Sequence, residues 1–305
     1  MRIAILGAGG VGGYYGGRLV EAGADVTFLL REARARLLAE RGLVIESPLG
    51  DARLSVKTAT RVDSPFDLVI LACKAYDLDA ALETIAGAVG PGTAILPLLN
   101  GLVHLDIVAE RFPRAKVFGG VAQISSTLDE NGVLHHFGER NRIIFGTRDG
   151  SRDARLAAVE TAFANTPVEA RHVDDIDRWM WEKFVLLAAL AGITSLMRAS
   201  LGDVLATPAG ERLILQLRDE CKRVARAEGW APSPESEALL AVLTERGSSL
   251  KASMLRDIER GAPTEGEHIL GDMHARAVRA GIETPILEIA LTHVRAYEIG
   301  RRERA

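Results

Sequence analysis

The chain has 305 residues, 48% hydrophobic and 26% charged, which reads as a soluble globular protein long enough for two buried cores. A formal net charge of -4 removes any general attraction to nucleic acid or an anionic membrane, although local basic patches stay open. The two cysteines, Cys73 and Cys221, are far apart and lack metal-ligand spacing, so neither a disulfide framework nor a structural zinc site is expected and a reducing cytoplasm suits them.

The N-terminus enters the strand-like "RIAIL" at once, with no room before it for an export signal, so a cytoplasmic protein is expected. From there, "RIAIL", "DVTFLL", "DLVILAC", "GTAILPLL" and "KVFGGVAQI" are short apolar runs separated by helical stretches, the rhythm of repeated βαβ units and a mainly parallel sheet. "GLVIESPLG" and "ARLSVKTAT" suggest a hairpin insertion. A second hairpin is expected around "VLHHFGERNRIIFG", then a helix near 152–164 and a last strand near "VEAR".

After "HVDDID" the pattern becomes helical. Thr207-Pro208, Ser233-Pro234 and Thr284-Pro285 each put a capping hydroxyl before a proline suited to the first helical turn, and Gly229 and Gly281 stand where helices should stop. The apolar run Phe184–Met197 is the most membrane-like segment. It falls short of the roughly 20 residues needed to span a bilayer and predicts a buried helix. The expected fold is α/β, with an N-terminal Rossmann-type doubly wound sheet over 1–168 and a C-terminal all-α domain over 169–305.

Gly7, Gly9 and Gly12 have GxGxxG spacing directly after the first strand and at the start of a helix. The first allows a tight turn, the second lets the backbone approach a pyrophosphate, and the third permits close helix–strand packing, while the helix N-terminus offers amide donors. The second strand leads to Arg31, where an NAD site commonly offers a carboxylate to the ribose. A guanidinium there suits the 2′-phosphate of NADPH; the structural alternative is a solvated arginine opening the helix "REARARLLAE".

With "LGAGGVGG", "LLR", "LACKAYD", "LLNG", "WEKF", "ASMLRDIERG" and "PTEGEHILG" in this order, the chain resembles the ketopantoate reductase family along both domains. The resemblance implies NADPH-dependent reduction of a 2-oxo acid, with a lysine protonating the developing alkoxide. Lys183 matches that lysine, and Glu265 the glutamate that binds the substrate hydroxyl. Ser253 matches the serine at the substrate carboxylate. Lys74 follows a strand and is a candidate for a cofactor phosphate or for the reacting region; Asn100 is one for the nicotinamide ribose and substrate. Each has a plainer alternative: a lysine snorkelling from a helix start, a Thr264/Glu267 capping box, a mid-helix hydroxyl, a strand-end charge and an Asn-Gly turn.

His135 and His136 would point to opposite faces of a strand, and no metal is expected. The partner implied is a small 2-oxo acid, with no nucleic acid or membrane; a homodimer stays open.

The chain departs from the family where ketopantoate reducers carry asparagines. It has Leu187 and Ala191 one and two turns beyond Lys183, and Leu250 shortly before the serine. Lost amide donors disfavour a small polar substrate unless Thr194, Ser195 or water compensates, and leave open a bulkier or more apolar 2-oxo acid. A non-catalytic NADP(H)-responsive binding protein is the alternative from another class.

Overall fold

The apolar runs of the first half become strands in the order expected, but they are shared between two sheets. The computed structural model describes residues 1–231 and 233–304. It divides into two units, Met1–Leu99 with His104–Trp179, and Asn100–Val103 with Met180–Ala305.

In the first unit the chain runs β1 (Arg2–Leu6), α1 (Gly10–Glu21), β2 (Asp25–Leu29), α2 (Glu32–Arg41), β3 (Leu43–Glu46), β4 (Ala52–Leu54), β5 (Lys57–Ala59), β6 (Leu68–Leu71), α3 (Leu78–Ile85) and β7 (Ala94–Pro97). It continues through α4 (Val103–Arg111), β8 (Gly119–Leu128), β9 (Leu134–Gly146), α5 (Ala154–Phe163) and β10 (Glu169–His172). One sheet has the order β5-β2-β1-β6-β7, with every pair parallel. All four residues of β6 and of β7 are buried, as expected for parallel strands covered on both faces.

The second sheet has the order β10-β9-β3-β4, with β8 antiparallel to β9. Helix α1 carries glycine on two faces. A side chain at Gly16 would meet Ile5 and Phe28 of the first sheet, and one at Gly17 would meet Ile45 and Leu43 of the second. Only bare backbone fits so close to both layers.

Two expectations for this half are corrected. The β3–β4 hairpin forms, but Lys57–Ala59 leaves it and joins the first sheet parallel to β2. "KVFGGVAQI" lies mostly in β8, in the second sheet, and its hairpin with β9 turns at 129–133. There Asp129 Oδ1 accepts the Val133 N–H at 2.8 Å and Gly132 takes φ +81. The segment "VLHHFGERNRIIFG", expected to hold a second hairpin, is instead mostly the single strand β9, with "FGER" a bulge where Gly138 takes φ +73 and the pairing slips between Ile124 and Ser125.

The division between units falls at Trp179/Met180 rather than at 168. β10 pairs with β9 and so ties residues 169–172 to the first unit. The boundary lies inside α6, Ile176–Met197. At 22 residues this helix is longer than the apolar run alone indicated and passes for a membrane span by length and composition. It is mostly buried by protein, which makes it a core helix.

The second unit continues with α7 (Leu201–Leu205), α8 (Gly210–Ala227), α9 (Pro234–Leu240), α10 (Ser253–Glu259), α11 (Asp272–Arg279) and α12 (Pro285–Arg302). Ser233 caps α9 by accepting the Ser236 N–H at 3.0 Å, with Pro234 in the first turn. Thr207 caps no helix; its hydroxyl donates to the Val204 carbonyl, and α8 starts later, after Ala209. Thr284 precedes α12, but the capping acceptor is Glu220, whose buried carboxylate takes the N–H groups of Ile286 and Leu287 at 3.1 and 2.9 Å. Gly229 and Gly281 end their helices at φ +91 and +66.

Candidate active site

The glycine loop is built by removing side chains. Gly7 takes φ +99, and a Cβ there would lie 2.9 Å from the Ala72 carbonyl oxygen. A Cβ at Gly12 would fall 2.2 Å from the Gly7 oxygen, so the turn folds onto the first turn of its own helix. Around Gly9 there is open space for 4 Å. Gly9 is the N-cap of α1, without a side-chain cap and with no acidic residue in the first turn. This leaves a helix N-terminus with bare amides and no competing negative charge, which fits a dinucleotide pyrophosphate.

Two loops flank it at the carboxyl ends of the strands on either side of β1. After β2, Arg31 precedes α2 with its side chain 77% exposed, paired to Asp77 at 2.5 Å. After β6, half-buried Lys74 opens the short turn Ala75–Asp77. The Arg31–Asp77 pair therefore ties the two cationic loops together. Sequence reading missed Arg34, one turn beyond Arg31, which donates to the Ala8 carbonyl in the glycine loop at 3.2 Å. Burial lowers its pKa. Its spacing on the helix "REARARLLAE" was the available signal.

In the second unit, Lys183 lies in α6 among buried Trp181, Glu182 and Phe184. Burial lowers its pKa to about 8, against the opposing pull of Glu265. Glu265 is 6% exposed. It stands just before a helix that begins at Gly266 with a π turn over Glu267–Gly271 and runs on into α11.

The Thr264/Glu267 capping box does not form. Thr264 Oγ1 accepts the Gly266 N–H at 3.3 Å, whereas the Glu267 carboxylate pairs with Arg295 at 2.6 and 2.9 Å. Glu265, directly before the helix, exerts its charge on Lys183.

Asn100 is half-buried and precedes Gly101, which takes φ +84. A Cβ at Gly101 would lie 2.9 Å from the His268 carbonyl oxygen and 3.1 Å from its ring Cδ2. His268 also feels the Glu265 charge, so Glu265 acts electrostatically on both Lys183 and His268. Sequence reading did not single out His268; "EGEH" following the matched glutamate was the only hint.

Ser253 is exposed and is the first residue of α10, not a mid-helix hydroxyl. Leu187 is half-buried and Ala191 buried on the Lys183 face of α6, and Leu250 is half-buried. Of the two hydroxyls weighed as substitutes for the asparagines, Thr194 is committed elsewhere. It is fully buried, donates to the Leu190 carbonyl at 2.7 Å and accepts the Ala252 N–H at 3.4 Å, next to Ser253. Ser195 is also fully buried.

His135 contacts Asp129 and Glu46 at 3.2 and 3.1 Å, and His136 contacts Ser47 and the Arg140 carbonyl at 2.9 and 3.3 Å. Among the described residues no group of three or more His, Cys, Asp or Glu side chains is placed to hold a metal ion.

Residues 3–150 match the family described as ketopantoate reductase PanE/ApbA, and residues 175–298 match its C-terminal counterpart. An uncharacterized oxidoreductase, YkpB of Bacillus subtilis, is 38% identical, covering 98% of this chain and 99% of its own. A 2-dehydropantoate 2-reductase of Halobacterium salinarum is 31% identical, covering 97% and 98%. The crystal structure of a 2-dehydropantoate 2-reductase from Geobacter metallireducens superimposes with a TM-score of 0.88 at 32% identity, covering 97% and 99%.

Proposed function

The chain belongs to the ketopantoate reductase family of NAD(P)-dependent oxidoreductases, and from that premise we propose that it reduces a 2-oxo acid of the ketopantoate type with NADPH, using Lys183 as general acid. The observation that carries the proposal is the charge coupling between half-buried Lys183 and buried Glu265. An ammonium with a pKa of about 8 is protonated at neutral pH yet gives up its proton readily.

When bound, the reduced nicotinamide supplies the hydride. Lys183 offers its positive charge to the ketone oxygen as negative charge builds there, then leaves its proton on that oxygen so that the product is the neutral alcohol. Glu265 keeps the amine charged and accepts a hydrogen bond from the new hydroxyl. Ser253 and Asn100 orient the substrate. In the other unit, the open backbone at Gly9 and the uncapped start of α1 receive the pyrophosphate. Arg31 and Lys74 provide cationic partners for a 2′-phosphate, which favours NADPH over NADH.

Leu187, Ala191 and Leu250 support a second reading of the substrate. With these apolar side chains and Thr194 bonded elsewhere, the polar lining available to ketopantoate is reduced, and a bulkier or more apolar 2-oxo acid fits the same chemistry.

Absorbance at the nicotinamide band with a panel of 2-oxo acids tests both. Oxidation of NADPH by some members of the panel is expected. No oxidation with any member would end the reductase reading. A wide margin in kcat/KM for ketopantoate over apolar 2-oxo acids would end the altered-substrate reading.

A further inference from the structure

The π turn after Glu265 leads to a role for a residue outside the reaction so far described. The turn packs against α12 at its start, and at its end Gly271 lies under the Glu267 carboxylate of the same turn. A Cβ at Gly266 would lie 2.4 Å from Val294 of α12, and one at Gly271 would lie 2.6 Å from Glu267 Oε2. Within it Ile269 and Leu270 are buried, Glu267 goes outward to Arg295, and His268 lies against Gly101. The extra residue of a π turn changes which side chains share a helix face, and such turns recur at functional sites.

Two features of Gly101 suit this contact. Its positive φ is a conformation that side chains disfavour, and the His268 backbone and ring fill the space that a Cβ would need. The loop carrying Asn100 is thus closed against the same turn that follows Glu265, whose charge reaches both His268 and Lys183.

We propose that His268 is a positioning residue that holds the Asn100–Gly101 turn in register with the Lys183–Glu265 pair. The role rests on the reductase reading above, because it assigns Asn100 to the reacting groups. Burial lowers the pKa of His268, so at neutral pH the ring acts as an uncharged wedge and hydrogen-bonding group that does not compete with Lys183 for the Glu265 carboxylate. Misplacing a reacting group by about 1 Å costs up to about 100-fold in rate, so a loosened Asn100 turn would be felt in catalysis without any loss of fold.

Two measurements on the full chain test this. In a double-mutant cycle, His268→Ala is expected to lower kcat/KM by about 10- to 100-fold in the wild-type background. It should cost little further on top of Asn100→Ala, since both changes spoil the same group. His268→Gln, which keeps a planar hydrogen-bonding group, should recover part of the loss. Wild-type kcat/KM in His268→Ala, or losses that simply add, would overturn the proposal.

Hydrogen exchange measured by mass spectrometry decides the same point without turnover. Peptides covering 99–103 should exchange faster in His268→Ala, with α8 and α12 unchanged; unaltered exchange at 99–103 would equally overturn it. If the wild type turns over no 2-oxo acid, the reductase reading fails, and the exchange result still shows whether His268 holds the turn.

Discussion

The glycine loop and the lysine site use opposite means. In the first unit, backbone is exposed by leaving side chains out at Gly7, Gly9 and Gly12, and the candidate cation Arg31 is 77% exposed and already paired with Asp77. In the second unit, side chains are packed in. Lys183 and Glu265 meet where burial moves the amine's pKa down to about 8. A backbone cradle attracts an anion through amide partial charges at a helix end, whereas a desolvated amine carries a full charge that water screens less. Position and reactivity are therefore separable by mutation.

The sharpest break should come at the lysine. Lys183→Ala is expected to lower turnover by about 100- to 10,000-fold while leaving NADPH affinity nearly unchanged, as measured by steady-state rates and cofactor titration. Turnover that survives the change would remove Lys183 from the chemistry.

The mirror experiment is Gly12→Ala. A Cβ 2.2 Å from the Gly7 oxygen must displace the loop, costing about 1–3 kcal/mol in stability or cofactor binding, readable as a lower thermal midpoint or a raised Kd. Binding and stability like those of wild type would mean that the loop yields more easily than its packing indicates.

A smaller and more selective effect is expected at Arg31. Arg31→Ala should weaken NADPH by about 10- to 100-fold with little change for NADH, since a charge-assisted bond to the 2′-phosphate is lost. Equal losses for both cofactors would defeat the phosphate assignment.

The smallest effect is a displacement along the pH axis. A general acid works only while protonated, so kcat/KM should fall as pH rises through about 8. Glu265 raises the lysine's pKa, so Glu265→Gln should move that fall to lower pH. A limb that stays in place would mean that another group sets it.

Much of this was legible along the chain because its causes are local. The GxGxxG spacing, the run of parallel strands and the Ser233-Pro234 cap depend on residues within a few positions of one another, and each has its expected geometry. The second hairpin was expected around "VLHHFGERNRIIFG", whereas the chain turns earlier, at 129–133. The choice between a turn and a bulge depends on which strand β9 meets, a partner far away in sequence.

What the sequence determined by itself was the α/β plan, the family and the glycine cradle, since these follow from spacing and from the absence of side chains. Tertiary structure alone decided that Glu220 caps α12, that Thr194 serves the Ala252 backbone, and that the Lys183 amine is held near pKa 8. Desolvation and charge coupling depend on distance in space, and the order of residues along the chain does not record it.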